Sequence, residues 1–314
     1  MERQHEIELR LGVLNEQWLQ HARGGDFESA WGVCDEASAL RAGVDCQRWP
    51  RHAQFIWDGQ DLRGKRALVR CYHGLGDTIQ FARFLPRLAS VASELTLWAQ
   101  PPLIPLLRTL RDGAQRIIPL HDGAPEVDFD VDLELFEVMH ALRISLNDVA
   151  AETPYLLRDI PIFERDSGPL RVGLVWKSGD WNDTRSIPPE LFGPLRAVEG
   201  VQWLLFQRGP GLGEWQHDFG RAPPMSGIVA EALELRRLDL LISVDTCSAH
   251  LAGALGLPVW TLLPHSADWR WMQERSDTPW YPTMRLIRQP RPGDWHSVIA
   301  HVAAELEACA SERS

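Results

Sequence analysis

The sequence predicts an α/β protein: two successive doubly wound domains preceded by a short helical hairpin. Three observations predict it. From residue 65 onward, short apolar runs alternate with turns and helical stretches, the rhythm of parallel sheets covered on both faces. The rhythm breaks at "LLRDIPIFERDSGP", rich in proline and charge, and then restarts, so this stretch is the candidate linker. Ahead of both, residues 8 to about 42 read as two helices around the turn "RGGDF". A chain of 314 residues can bury two separate cores. The expected division is a hairpin over residues 1–45, a first domain over 46–165 and a second over 166–314, whose terminal helix packs back.

In the hairpin, Leu14, Trp18, Gly25, Asp26, Phe27 and Ala30 are spaced as in one tetratricopeptide-like unit, where aromatic and small residues interlock two antiparallel helices. A single unit cannot bury its own face, so it is expected to pack on the domain that comes after it in the chain. In the first domain "RALVRCY", "ELTLWAQ", "AQRIIPL" and "VDFDVDLELF" read as strands. Helices are expected near Asp77, after Pro101 and Pro102, and at "EVMHALRI". The second domain supplies "LRVGLVW", "VQWLLFQ", "LDLLISV", "PVWTLLP" and "MRLIRQP", then a terminal helix opened by an aspartate cap, "DWHSVIAHVAAELEACA". The two domains are expected to face a cleft at the carboxyl ends of their strands.

Composition removes several functions. Net charge is −11, from 32 basic and 43 acidic side chains, and no block of Lys or Arg makes a phosphate-tracking stripe, so no nucleic acid is expected as partner. Apolar runs fall short of the roughly 18 to 20 residues that span a bilayer. The N-terminus "MERQHEIELR" lacks the apolar core of a secretory signal. A cytoplasmic location is expected, with peripheral membrane contact left open. Five scattered cysteines without a CxxC pair are expected to be reduced thiols.

The glycine turn in "YHGLGDTIQFARFLP" suggests a dinucleotide fingerprint, but Ile79 stands where the third glycine is needed, and the next strand ends in Gln100 instead of a ribose-binding acid. Asp77 in the first helical turn would also repel a pyrophosphate. NAD is therefore not expected. A second motif, "ISVDTCSAHLAGALGLPVWTLL", ends a buried strand at Val244 and opens a helix at Asp245 or Thr246. The free N–H groups of that first turn make a seat for a diphosphate, and His250 lies one turn in, on a face that can reach it. Asp245 as a plain helix cap and His250 as a core histidine are the competing readings. The acids Asp122, Glu126, Asp128, Asp130, Asp132 and Glu134 alternate along a strand and cannot all converge, so they read as a solvated rim and no metal site is expected. Trp269 and Trp271 in "DWRWMQERSDTPWY" either stack on a base or sugar or pack against the terminal helix.

Taken together, "HGLGDTIQFARFLP", "RVGLVWKSGDWNDTRSIP" and "SVDTCSAHLAGALGLPVW" resemble the heptosyltransferase-type glycosyltransferases, family 9, most closely the branch in which tetratricopeptide repeats precede the transferase. The resemblance covers residues 65 to about 300. It implies a GT-B architecture of two Rossmann-like domains. The activity it implies is inverting transfer, with no metal and no cofactor, from a nucleotide-diphosphate sugar to a glycolipid or protein acceptor. Asp77 then matches the general base, with Gly74 and Gly76 allowing a tight turn and leaving room for substrate. Arg185 takes a position usually filled by Lys and faces the leaving diphosphate, with Lys177 as a second cation. Asp245, Thr246 and His250 hold the donor, and Glu214 meets its ribose or base. A non-catalytic binding module and a nucleotide-sugar epimerase of similar fold are the alternatives.

Overall fold

The computed structural model describes residues 2–46, 49–149, 153–160, 168–179 and 182–312. Helix α1 (Glu2–Gly24) and helix α2 (Phe27–Arg41) are joined at Gly25, whose φ of +75° is left-handed and favours glycine. Asp26 caps α2, its carboxylate accepting the Ser29 N–H at 3.1 Å. The pair leans on the chain beyond it, as a lone hairpin must. Trp31 donates its indole N–H to the Ile144 carbonyl at 2.8 Å, and Asp35 receives His140 Nε2 at 2.8 Å and Arg143 at 2.7 Å.

The first sheet is built from β1 (Arg66–Arg70), followed by α3 (Leu75–Phe81) and α4 (Leu85–Val91), then β2 (Glu94–Ala99), α5 (Ile104–Leu107), β3 (Arg116–Pro119) and β4 (Val131–Glu134). Short helices α6 (Glu137–Ala141) and α7 (Leu146–Val149) close it. Its order is β3-β2-β1-β4, every pair parallel, with Ala67 opposite both Leu95 and Val131. Leu68 and Val69 on β1 and Leu97 and Trp98 on β2 are buried, the two-sided burial that a parallel sheet demands.

The second sheet comprises β5 (Leu170–Val175), β6 (Val201–Leu205), α8 (Ile228–Leu235), β7 (Leu240–Val244), α9 (Cys247–Ala254), β8 (Val259–Leu263) and β9 (Met284–Arg288), before the terminal helix α10 (Trp295–Ser311). Its order is β6-β5-β7-β8-β9, again all parallel. Every residue of β7 and β8 is buried. Asp294 caps α10 by accepting the Ser297 N–H, as expected, and Trp295, Val298, Ile299, Val302 and Leu306 form the helical stripe that joins this core.

By packing, the chain divides into two units, Met1–Ala151 with Asp268–Glu274, and Glu152–Ala267 with Arg275–Ser314. The hairpin thus belongs with the first sheet, and a short piece of late sequence joins it. The expected boundary at 165/166 lies outside the described residues, as does most of the candidate linker. In each sheet the strand order reverses once, at β1/β4 and at β5/β7, and such reversals leave a crevice at the carboxyl ends of the strands.

Tight packing inside the second unit is testable at one glycine. A Cβ at Gly253 in α9 would lie 2.5 Å from Cδ1 of the fully buried Tyr281 ring. Gly253→Ala is expected to destabilise the chain by about 1–3 kcal/mol through overpacking. Urea unfolding measures this, and an unchanged midpoint would mean that the ring yields.

Candidate functional site

At the carboxyl end of β1 the chain passes through His73 and Gly74 into α3. Gly74 has extended angles (φ −66°, ψ 162°), and neither it nor Gly76, which lies inside α3, has a positive φ. The turn is therefore made with angles open to any residue, and the expected conformational reason for glycine is corrected. Space is the reason at Gly74: a Cβ there would come within 3.0 Å of Asp77 Oδ2. That oxygen accepts the Gly74 N–H at 3.0 Å, so Asp77, third residue of α3, reaches back over its own helix start.

The other carboxylate oxygen is held by a residue that sequence reasoning missed. Arg270 Nη1 lies 2.7 Å from Asp77 Oδ1 and 2.8 Å from Gln80 Oε1, while its Nε donates to Asp268 Oδ1 at 2.9 Å. The guanidinium is buried, with the rings of Phe81, Phe136 and Trp269 at 5.8–6.0 Å from its Cζ. Gln80 is fully buried, and its Nε2 has no hydrogen-bond partner among the described residues. "DWRWMQER" drew attention to its tryptophans, yet both are buried, Trp269 meeting Trp18 edge-on at 5.0 Å. The contact of Trp269 is with the hairpin, whereas a ligand and the terminal helix were the two expected partners. The signal for Arg270 was an arginine among aromatic residues, a charge that must find a buried acid.

Across the reversal from β1, β4 ends at Glu134, only 2% exposed, which accepts the N–H of Phe136 at 2.7 Å and of Tyr72 at 3.2 Å. Burial lifts its carboxyl to about 8 against the pull of those N–H groups. His73 Nε2 stands 3.6 Å from it, and burial lowers the imidazole, opposed by the charge of Asp77. Both groups are driven toward their neutral forms. The acidic run around β4 is divided among separate partners, Asp130 to Arg66 at 2.8 Å and Asp132 to Arg70 at 2.5 Å.

In the second unit, Asp245 follows β7 and is 4% exposed. Its Oδ2 accepts Arg185 Nη1 at 3.4 Å, and His250 Nε2 lies 3.5 Å from Oδ1. The other ring nitrogen of His250 is 3.0 Å from the Tyr281 hydroxyl. Thr246 is the cap of α9, its Oγ1 accepting the Ala249 N–H at 3.5 Å and meeting Ser243 Oγ at 2.9 Å. Of the predicted residues, Arg185, Asp245 and His250 thus gather at the start of α9, with Thr246 beside them. Ser186 Oγ accepts the Ser178 N–H at 3.2 Å, which ties the Arg185 turn back to the end of β5 within the same loop.

Lys177 and Glu214 pair with each other at 2.5 Å, each about a third exposed. Their loops are fixed by Gln207, whose Oε1 accepts the N–H of Trp176 and Lys177 at 3.1 and 2.9 Å. Sequence reasoning also passed over Arg208, which pairs at 2.9 Å with Glu231, a buried acid whose other oxygen accepts Ser248 Oγ in the first turn of α9 at 2.5 Å. Burial raises the Glu231 carboxyl, opposed by that hydroxyl and by Arg208. A helix start with two guanidinium groups braced near it can receive an anion.

No family model matches the chain. Among curated proteins it is similar to Protein FlbA of Caulobacter vibrioides, with 28% identity over 291 residues, 80% of this chain and 48% of that protein. The chain spans about half the length of that relative. Two solved structures cover most of it: the E. coli ADP-heptose LPS heptosyltransferase II, with TM-score 0.55 and 16% identity over 79% of this chain and 99% of that one, and a glycosyl transferase family 9 protein of Veillonella parvula, with TM-score 0.52 and 14% identity over 81% and 99%. The fold is shared with these glycosyltransferases. No helix among the described residues is long and apolar enough to cross a membrane.

The raised Glu134 carboxyl makes a pH prediction. Its folded value of about 8 lies above the ordinary 4.5, so its contribution to stability is complete below that value and is lost as pH rises through about 8. Glu134→Gln is expected to flatten the fall in stability across this window, by on the order of 5 kcal/mol at its alkaline end. Urea unfolding at stepped pH reads it; an unchanged slope would exclude Glu134 as the source.

Proposed function

We propose that the chain is a glycosyltransferase that moves a sugar from a nucleotide-diphosphate donor to an acceptor hydroxyl, with inversion and without a metal. The observation that carries this reading is the gathering of Arg185, Asp245 and His250 at the start of α9, on the side of the β5/β7 reversal where anions are received. The fold shared with the E. coli ADP-heptose enzyme supports it.

In this reading the leaving diphosphate rests against the first N–H groups of α9 and the Arg185 guanidinium, which oppose the charge that grows as the glycosidic bond breaks. Asp245 holds Arg185 and His250 in place and keeps its own charge compensated beside the phosphates. Lys177 and Glu214 lie at the strand ends where the nucleoside would be held. In the first unit Asp77 takes the proton of the acceptor hydroxyl as its oxygen attacks the anomeric carbon from the face opposite the diphosphate. Gly74 N–H and Arg270 fix both carboxylate oxygens and favour the ionised form that a base requires. The hairpin is read as one tetratricopeptide-like unit serving the acceptor side, the acceptor being a glycolipid or protein.

One observation favours a second reading. The same two contacts on Asp77 would suit a carboxylate that only braces the 268–274 segment, in a binding module without turnover.

A panel of ADP-, GDP-, UDP-, dTDP- and CMP-sugars, followed by release of nucleotide from the one that binds, separates the readings. Asp77→Asn is expected to keep donor affinity and to lower turnover by on the order of 10²- to 10⁴-fold. Equal turnover in wild type and variant would remove Asp77 from the chemistry. Arg185→Ala is expected to weaken the nucleoside diphosphate about tenfold or more while sparing the free nucleoside. Equal loss of both ligands would move the phosphate seat elsewhere.

A further inference from the structure

The first unit contains a cavity of about 660 Å³, the size of an ordinary ligand pocket. The hairpin supplies one wall with Leu14, Trp18, Trp31 and Ala37, and the loop before β1 adds Phe55 and Trp57. A second wall is the β1/β4 reversal, through His73 and Phe136, and Trp269 of the 268–274 segment lines the cavity beside the hairpin. These three residues also border the Asp77–Arg270 pair: His73 precedes the glycine whose N–H binds the Asp77 carboxylate, and Phe136 and Trp269 flank the Arg270 guanidinium at 6.0 and 5.8 Å.

The wall is aromatic and aliphatic, and its acids already have protein partners. Glu137 accepts the N–H of Ile56, Trp57 and Glu134 at 2.8–3.0 Å, and Asp58 accepts Gln60. Burial raises the Glu137 carboxyl against those N–H groups. The occupant is therefore apolar over most of its surface. Its source follows from charge. Arg41 is the one Lys or Arg among the described lining residues, the seven arginines of residues 1–64 are outnumbered by eleven acids, and the chain carries −11, so no net positive charge here draws an anionic lipid surface. Exposed Val44 on the cavity wall, and half-exposed Trp49 packed edge-on against Phe55 at 5.8 Å, extend the apolar surface outward in the manner of a side-chain track.

We propose that this cavity receives an apolar polypeptide segment next to the residue that carries the acceptor hydroxyl, and that the hairpin exists to form its wall. The proposal rests on the reading of Asp77 as the acceptor-side group. A protein acceptor would seat aliphatic side chains between the two helices and the β1/β4 reversal. Its serine or threonine would then lie at the Asp77 turn.

The test uses the full chain and twelve-residue peptides with a central serine, flanked either by Val, Leu and Ile or by Gln and Asn. Binding is followed by tryptophan fluorescence, since Trp18, Trp31, Trp57 and Trp269 line the site. The apolar-flanked peptide is expected to bind at least tenfold more tightly than the polar one. Two plugs, Ala37→Trp and Cys34→Phe, are expected to cut that binding tenfold or more while leaving ADP binding and the circular-dichroism spectrum unchanged; the pair guards against one plug misfolding. Equal binding of both peptides, or plugged chains that bind like wild type, would overturn the proposal and leave a packing void. Co-sedimentation with phosphatidylglycerol vesicles that the plugs abolish would overturn it in favour of a lipid. If no nucleotide binds but the plugs still block the apolar peptide, the cavity stands and the transferase reading fails.

Discussion

Both halves of this chain depend on one constraint of parallel sheets. Strands that all run the same way deliver their chain ends, and the helix starts that come next, to one edge. Where the order reverses, the two loops leaving the strands diverge and keep that edge open. At β1/β4 the divergence exposes His73, the Asp77 turn and Phe136; at β5/β7 it exposes the Lys177 loop and the start of α9. The functional residues are thus placed by strand order before any side chain is chosen. What the side chains decide is charge.

Four acids stand near these edges, three buried and Asp77 half-buried, and each is compensated differently. Asp245 has Arg185 and His250, Asp77 has Arg270 and a backbone N–H, and Glu231 has Arg208 and a serine hydroxyl. Glu134 has backbone N–H groups and a neutral imidazole, and burial lifts it to about 8, as burial also raises Glu231. Burying charge is costly, and a guanidinium or backbone N–H groups offset that cost in part. The first unit accordingly holds one carboxyl paired with an arginine and one held by backbone N–H groups on adjacent strand ends, and the second holds its acids as ion pairs.

The fold was legible because its signals are local. Nine apolar runs became nine strands, and Asp26 and Asp294 cap their helices where an acid before a periodic run predicts a cap. Arg185, Asp245 and His250 could be named from motifs, but their meeting is a matter of strand order that no spacing records. Thr246 caps α9 while the Asp245 carboxylate pairs with Arg185. Arg270 was out of reach for another reason: its partner lies 193 positions away, and neither residue's neighbours point to the other. The cavity was hidden likewise, since its walls come from several separated stretches of chain.

The 268–274 segment has a consequence for the order in which the molecule is made. It packs with the first unit, though the whole second sheet except β9 precedes it in the chain. On the ribosome, residues 1–151 emerge early and can form their sheet, but Asp77 and Gln80 then face a gap in their surroundings until residue 270 is synthesised. Left-handed angles at Met272 and Glu274 mark where the chain bends to deliver Arg270 and leave again. Maturation of the early half therefore waits on the late one, and a chain released before residue 270 would carry the Asp77 carboxylate without its guanidinium.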